Sequence, residues 1–97
     1  MENKIDISSF VKVLTEQSVT NEIVKNLKLR RKELGYSQLE LSKRSGVSFG
    51  SIKRFETSGD ISLSSLLKIA NTLNALSDFN KLFSEPIITN LKDYKND

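Results

Sequence analysis

Between Asn21 and Leu34 the apolar residues Ile23, Val24, Leu27 and Leu34 recur at spacings close to 3.6 residues, which predicts an amphipathic helix. Asn21 is its expected N-cap and Gly35 its stop. A second helix is predicted from Ser37 to about Ser45, with the Ser37 hydroxyl capping the first turn and Glu40 completing a capping box. Gly46 supplies a tight turn, Val47 points inward, and Ser48 caps a third helix from Phe49 to about Thr57, with Ile52 and Phe55 on its inner face. The cluster Thr57-Ser58-Gly59-Asp60 ends it. Ser62 is the expected cap of a fourth helix, Leu63 to about Asn74, whose Leu63, Leu66, Leu67, Ile69, Ala70 and Leu73 form a wide apolar stripe. Ser77 caps a short fifth helix, Asp78 to Phe83. Residues Ile5 to Leu14 are apolar without regular spacing and fit a strand or a helix, and Pro86 to Tyr94 fit a last helix or an extended tail. The fold class expected is therefore all-α, a compact bundle of five helices. Its expected parts are an N-terminal arm at 1–20, a helical domain at 21–83 and a tail at 84–97.

A chain of 97 residues has room for one such domain and its small core. With no Cys there is no disulfide or thiolate nucleophile, and with no His the commonest general base and metal ligand are missing. No cofactor is expected. Met1 is followed by Glu2, Asn3 and Lys4, and no long apolar run occurs, so neither a signal peptide nor a membrane span is expected and the cytoplasm is the default location. The net charge of +3 says little until it is placed. Lys25, Lys28, Arg30, Arg31, Lys32, Lys43, Arg44, Lys53 and Arg54 face Glu33 and Glu40 alone, so residues 25–54 carry +7 and the rest of the chain −4. A basic segment on an otherwise mildly acidic protein suits a phosphate-facing surface.

A helix of about nine residues, a Gly turn and a helix with a polar outer face form a unit in which the second helix can enter a DNA major groove while the first crosses the backbone. The span LKLRRKELGYSQLELSKRSGVSFGSIKRFE resembles the Xre/Cro, or lambda-repressor-like, helix-turn-helix family. The resemblance rests on RRKELGYSQ, Leu41, Gly46, Val47, Ile52 and Phe55-Glu56, followed by LSSLLKIANTLN, and it runs over roughly residues 21 to 83. It implies a DNA-binding transcriptional regulator. The segment SFGSIKRFETSGDISLSSLLKIANTLNALSDFNKLF further resembles the HipB-like antitoxins encoded beside HipA-type kinase toxins. That likeness implies an autorepressor that also holds its toxin, although Phe49 stands where such proteins often carry a polar or basic residue.

Phe49, Gly50, Lys53 and Arg54 are the candidate base contacts, at the exposed start and first turn of the third helix. The Arg54 fork can bond guanine O6 and N7 together, and Phe49 beside the small Gly50 can touch a thymine methyl. Their structural alternatives are a solvated cation for Arg54 and a packing or dimer contact for Phe49. Candidate backbone contacts are Ser37 and Gln38 at the start of the second helix, Lys43 and Arg44 on its outer side, Ser48 and Ser51, and Thr57 and Ser58, whose amides are expected just past the third helix. Capping is the alternative for Ser37 and Ser48, and a solvated face for Lys43 and Arg44. The family resemblance implies that Arg31 pairs with Glu56, a structural role. Ser42 takes a small-residue packing position, and an apolar Leu39 at an exposed position marks a protein contact.

The leading function is a homodimeric repressor whose two recognition helices, about 34 Å apart, read a roughly palindromic double-stranded operator. The dimer surface is expected at Phe79, Leu82, Phe83, Ile87 and Ile88, helped by the N-terminal arm. The alternative is an antitoxin that mainly binds a HipA-like kinase. An enzyme finds little support, since the pairs Glu56 with Asp60 and Glu85 with Asp93 have no accompanying nucleophile, metal cluster or phosphate loop.

Overall fold

Thr15 opens the first helix of the computed structural model, which describes residues 13–87. Its hydroxyl accepts from the Ser18 amide and Ser18 Oγ accepts from the Thr15 amide, both at 3.0 Å, a reciprocal capping box. Helix α1 (Glu16–Glu33) thus begins more than a turn before Asn21, the expected cap, and residue 20 lies inside it. Asn21 instead accepts from Gln17 Nε2 along the helix surface at 2.8 Å. Residues 16–19 are exposed all round, so no apolar stripe announces them, and the cap alone sets this start.

The next three helices begin where a serine can cap them. Ser37 accepts from the Glu40 amide and opens α2 (Gln38–Ser45), Ser48 accepts from the Ser51 amide and opens α3 (Phe49–Ser58), and Ser62 accepts from the Ser65 amide and opens α4 (Leu63–Thr72). The expected capping box of α2 is half formed. Glu40 turns along the helix to Arg44 Nε at 2.7 Å, leaving Ser37 as the cap. Gly46, at φ 78°, closes α2 in the left-handed conformation and donates to the Ser42 carbonyl, which makes the tight turn into α3.

Helix α4 stops earlier than its periodicity predicts, because Asn74 turns left-handed at φ 58°. The Ala75 amide then reaches Ala70 O at 2.8 Å and the Asn74 amide reaches Asn71 O at 3.2 Å, the paired bonds of a Schellman ending. This turn starts α5 (Leu76–Phe79) before Ser77, with Ala75 at the N-cap and no side-chain cap, so the expected helix from Asp78 to Phe83 is replaced by one helical turn followed by hydrogen-bonded turns through residue 83.

Leu27, Leu41, Val47, Ile52, Phe55, Ile69 and Leu73 form the core, flanked by Val24, Tyr36, Ile61 and Leu66. Helix α2 packs on α3 and α4, and α1 on α3. Ile23, Leu34 and Leu63 lie on predicted apolar faces yet remain substantially exposed. Arg30 Nη1 donates to Leu73 O at 3.1 Å, which ties α1 to the end of α4. Among the described residues no helix is long and apolar enough to cross a membrane. The apolar segment that starts at Ile5 lies outside the described residues up to position 12, and so do Ile88 of the expected dimer surface, Asp93 and Tyr94.

Candidate nucleic-acid interface

A buried ion pair orients the helices. Arg31 donates from Nε to Glu56 Oε2 at 2.7 Å and from Nη2 to Glu56 Oε1 at 2.9 Å, with the two side chains 9% and 3% exposed. Such a fork-to-fork pair fixes both distance and angle between α1 and α3. Arg31 Nη1 also donates to the Tyr36 carbonyl at 2.9 Å, which holds the α1–α2 connection. Gln38 Nε2 donates to Glu56 Oε1 at 2.8 Å, so one carboxylate joins α1, α2 and α3. The Gln38 side chain therefore serves the frame, and what it leaves toward a phosphate is its backbone amide in the first turn of α2. Nothing in the spacing assigns that partner. The one clue is chemical: a buried carboxylate has more acceptor sites than a single guanidinium fills.

The two motif helices are joined with little slack. Ser42 Oγ donates to Val47 O at 2.7 Å across the turn, so its small side chain contributes a hydrogen bond as well as close packing. Val47, Ile52 and Phe55 are buried beneath this turn, which leaves the opposite side of α3 outward. That outward side carries Phe49, Gly50, Lys53 and Arg54, all exposed. Phe49 retains 40% of its surface, and Lys53 Nζ lies 5.2 Å from the centre of its ring. The pair forms one cationic and apolar patch at the head of α3. Arg54 makes no ion pair among the described residues, so its fork is available to an outside acceptor.

The other candidate residues are placed differently. Ser37 and Ser48 both act as caps, and Ser48 Oγ additionally donates to Ser51 Oγ at 2.8 Å. Lys43 is exposed on the outer side of α2. Arg44 is held by Glu40 and lies over the Tyr36 ring, 4.6 Å from its centre, so its orientation is set within the protein. Thr57 and Ser58 lie in the last turn of α3 rather than past it. Their amides belong to the helical ladder, and their hydroxyls donate back to Lys53 O at 2.8 Å and Arg54 O at 2.9 Å. Amide contacts from these two residues are thereby withdrawn. Glu56, half of the candidate catalytic pair with Asp60, is occupied by Arg31 and Gln38. Leu39 is about half exposed on α2.

The arrangement presents two helix starts, of α2 and α3, on a frame locked by Glu56. Along α3 run Lys53 and a guanidinium, that of Arg54, with no ion-pair partner among the described residues. No curated protein and no solved structure matches the chain. The family model for the helix-turn-helix matches residues 27–78, more than half of the chain, from the buried part of α1 into α5. The protein belongs to the Xre-like helix-turn-helix family of DNA-binding domains, with α2 and α3 as the two helices of the motif.

Proposed function

We propose that the protein is a sequence-specific transcriptional repressor that binds a roughly palindromic operator as a homodimer and docks α3 in the major groove. The observation that carries this reading is the exposed row Phe49, Gly50, Lys53 and Arg54 on a helix held rigidly by the Arg31–Glu56–Gln38 network. Base reading needs side chains held at fixed heights above the groove floor, and a locked helix supplies that. Ser37, Gln38, Lys43, Arg44, Ser48 and Ser51 flank the row on α2 and at the start of α3, where phosphate contacts set register. One monomer offers few base contacts, and a second copy about one helical turn away doubles them. Phe79, Leu82, Phe83 and Ile87 supply the apolar surface for that second copy.

Selection of bound duplexes from random DNA tests the reading directly. The expected result is two inverted half-sites about 34 Å apart centre to centre. Enrichment of no sequence, or of a single unpaired site, would sink the repressor-dimer reading. A second reading, an antitoxin that sequesters a HipA-like kinase, draws on the same exposed Leu82, Phe83 and Ile87. It requires a kinase-type reading frame beside the gene and a stable complex of the two purified products.

A further inference from the structure

We propose that Lys25, Lys28 and Lys32 form a phosphate-binding ridge on α1, which grips the DNA backbone along the wall of the groove that α3 enters. The proposal rests on the DNA-binding reading and adds residues outside the two motif helices. Spacings of three and four residues put the three lysines on one face of α1. They line an open groove of about 270 Å³ together with Thr57, Ser58 and Gly59 at the end of α3.

The groove is held in shape by close approach of the two helices. A methyl group on Gly59 would collide with the Thr20 side chain of α1. Among the described residues none of the three ammonium groups forms an ion pair; the pairs there are Arg30–Glu33, Arg31–Glu56 and Arg44–Glu40. Three like charges on one helix face repel one another. A polyanion laid along the face reverses the sign of that term.

The location decides which polyanion. Lys53 and Arg54 are followed one turn later by Thr57 and Ser58, whose hydroxyls bond back to the carbonyls of those two residues. The outward face of α3 therefore runs without a break from the base-reading positions into the lysine groove. Helix α3 has ten residues, about 15 Å of length, against a major groove about 12 Å wide. With its first turns at the groove floor, its last turn stands at the wall, where the phosphates are. The short connection from α3 to α4 offers Asp60 and no cation there, so the charge on that side comes from α1.

The test measures binding of the full-length protein to its selected operator and to a random-sequence duplex over a range of salt, for the wild type and for K25Q/K28Q/K32Q. The ridge predicts a salt slope shallower by about 0.9 for each phosphate that the variant no longer neutralises. It also predicts equal weakening on both duplexes, unchanged base preference, and no loss of thermal stability without DNA. The variant K25R/K28R/K32R should keep the wild-type slope. An unchanged slope in the glutamine variant, with steep salt dependence in the wild type, overturns the ridge and leaves the DNA reading standing. A fall in melting temperature with an unchanged slope assigns the lysines to the carbonyl end of α3 and also overturns it. Absence of salt-dependent binding by the wild type overturns the DNA reading itself, and the ridge with it.

Discussion

Arg31 reaches three acceptors, both oxygens of Glu56 and the carbonyl of Tyr36, from a position that water hardly touches. Removing one member of a buried pair leaves the other charged and unpartnered, which costs about 3–5 kcal/mol. Arg31→Ala is therefore expected to lower the melting temperature in the absence of DNA, and an unchanged melting curve would show the pair to be dispensable. Glu56 keeps Arg31 when Gln38 is removed, so Gln38→Ala should cost less, about 1.5–3 kcal/mol for a hydrogen bond to a charged group. The exposed residues respond in a different observable. Arg54→Ala should leave stability alone and relax preference at one base pair per half-site by about 1–3 kcal/mol, whereas Lys43→Ala should weaken all sequences alike. Binding profiles across a library of single-base operator variants separate the two outcomes.

At the scale of elements, the frame is set where helices end and meet. Gly59 combines a φ of 82° with a position against Thr20, so a side chain there is strained by the backbone and crowded by α1 at once. A left-handed residue with a Cβ costs about 1–2 kcal/mol and overpacking about 1–3 kcal/mol more. Gly59→Ala is thus expected to destabilise the fold, while Gly50→Ala, which meets open space on a helix, should not. Denaturant titrations of the two variants check the contrast, and equal midpoints would show that α1 and the end of α3 are not tightly packed. Ser77 falls inside α5 instead of capping it, but the helix starts at Ser37, Ser48 and Ser62 are legible in the sequence as serine caps. The start of α1 is not, since Thr15 and Ser18 cap a stretch with no buried face.

Charge and apolar surface act over the whole molecule. The net +7 of residues 25–54 falls on the second half of α1 and on α2 and α3, against a remainder of −4. Operator binding is expected to weaken steeply between low and moderate salt, as phosphate neutralisation demands. A flat profile in equilibrium titrations would remove the groove-docking geometry. The opposite resource is the exposed Leu82 and Phe83 beyond α5. Under the dimer proposal, L82S/F83S should keep the melting temperature of an isolated subunit, since neither residue is in the core. The same variant should lose cooperative binding to paired half-sites, measured by sedimentation and by titration on one-site and two-site duplexes.

Caps, glycines and a 3.6-residue period are local chemistry, and so the order of the helices, the Gly46 turn between α2 and α3, and the inward set Val47, Ile52 and Phe55 are all written in the chain itself. The placement of the positive charge is written there too. Tertiary packing decided what local chemistry cannot reach. It joined Gln38 to Glu56, laid Arg44 over Tyr36, and set Lys25, Lys28 and Lys32 beside the end of α3. Each of these links residues by distance in space, and the distances follow from how α1, α2 and α3 pack on one another, which no spacing along the chain encodes.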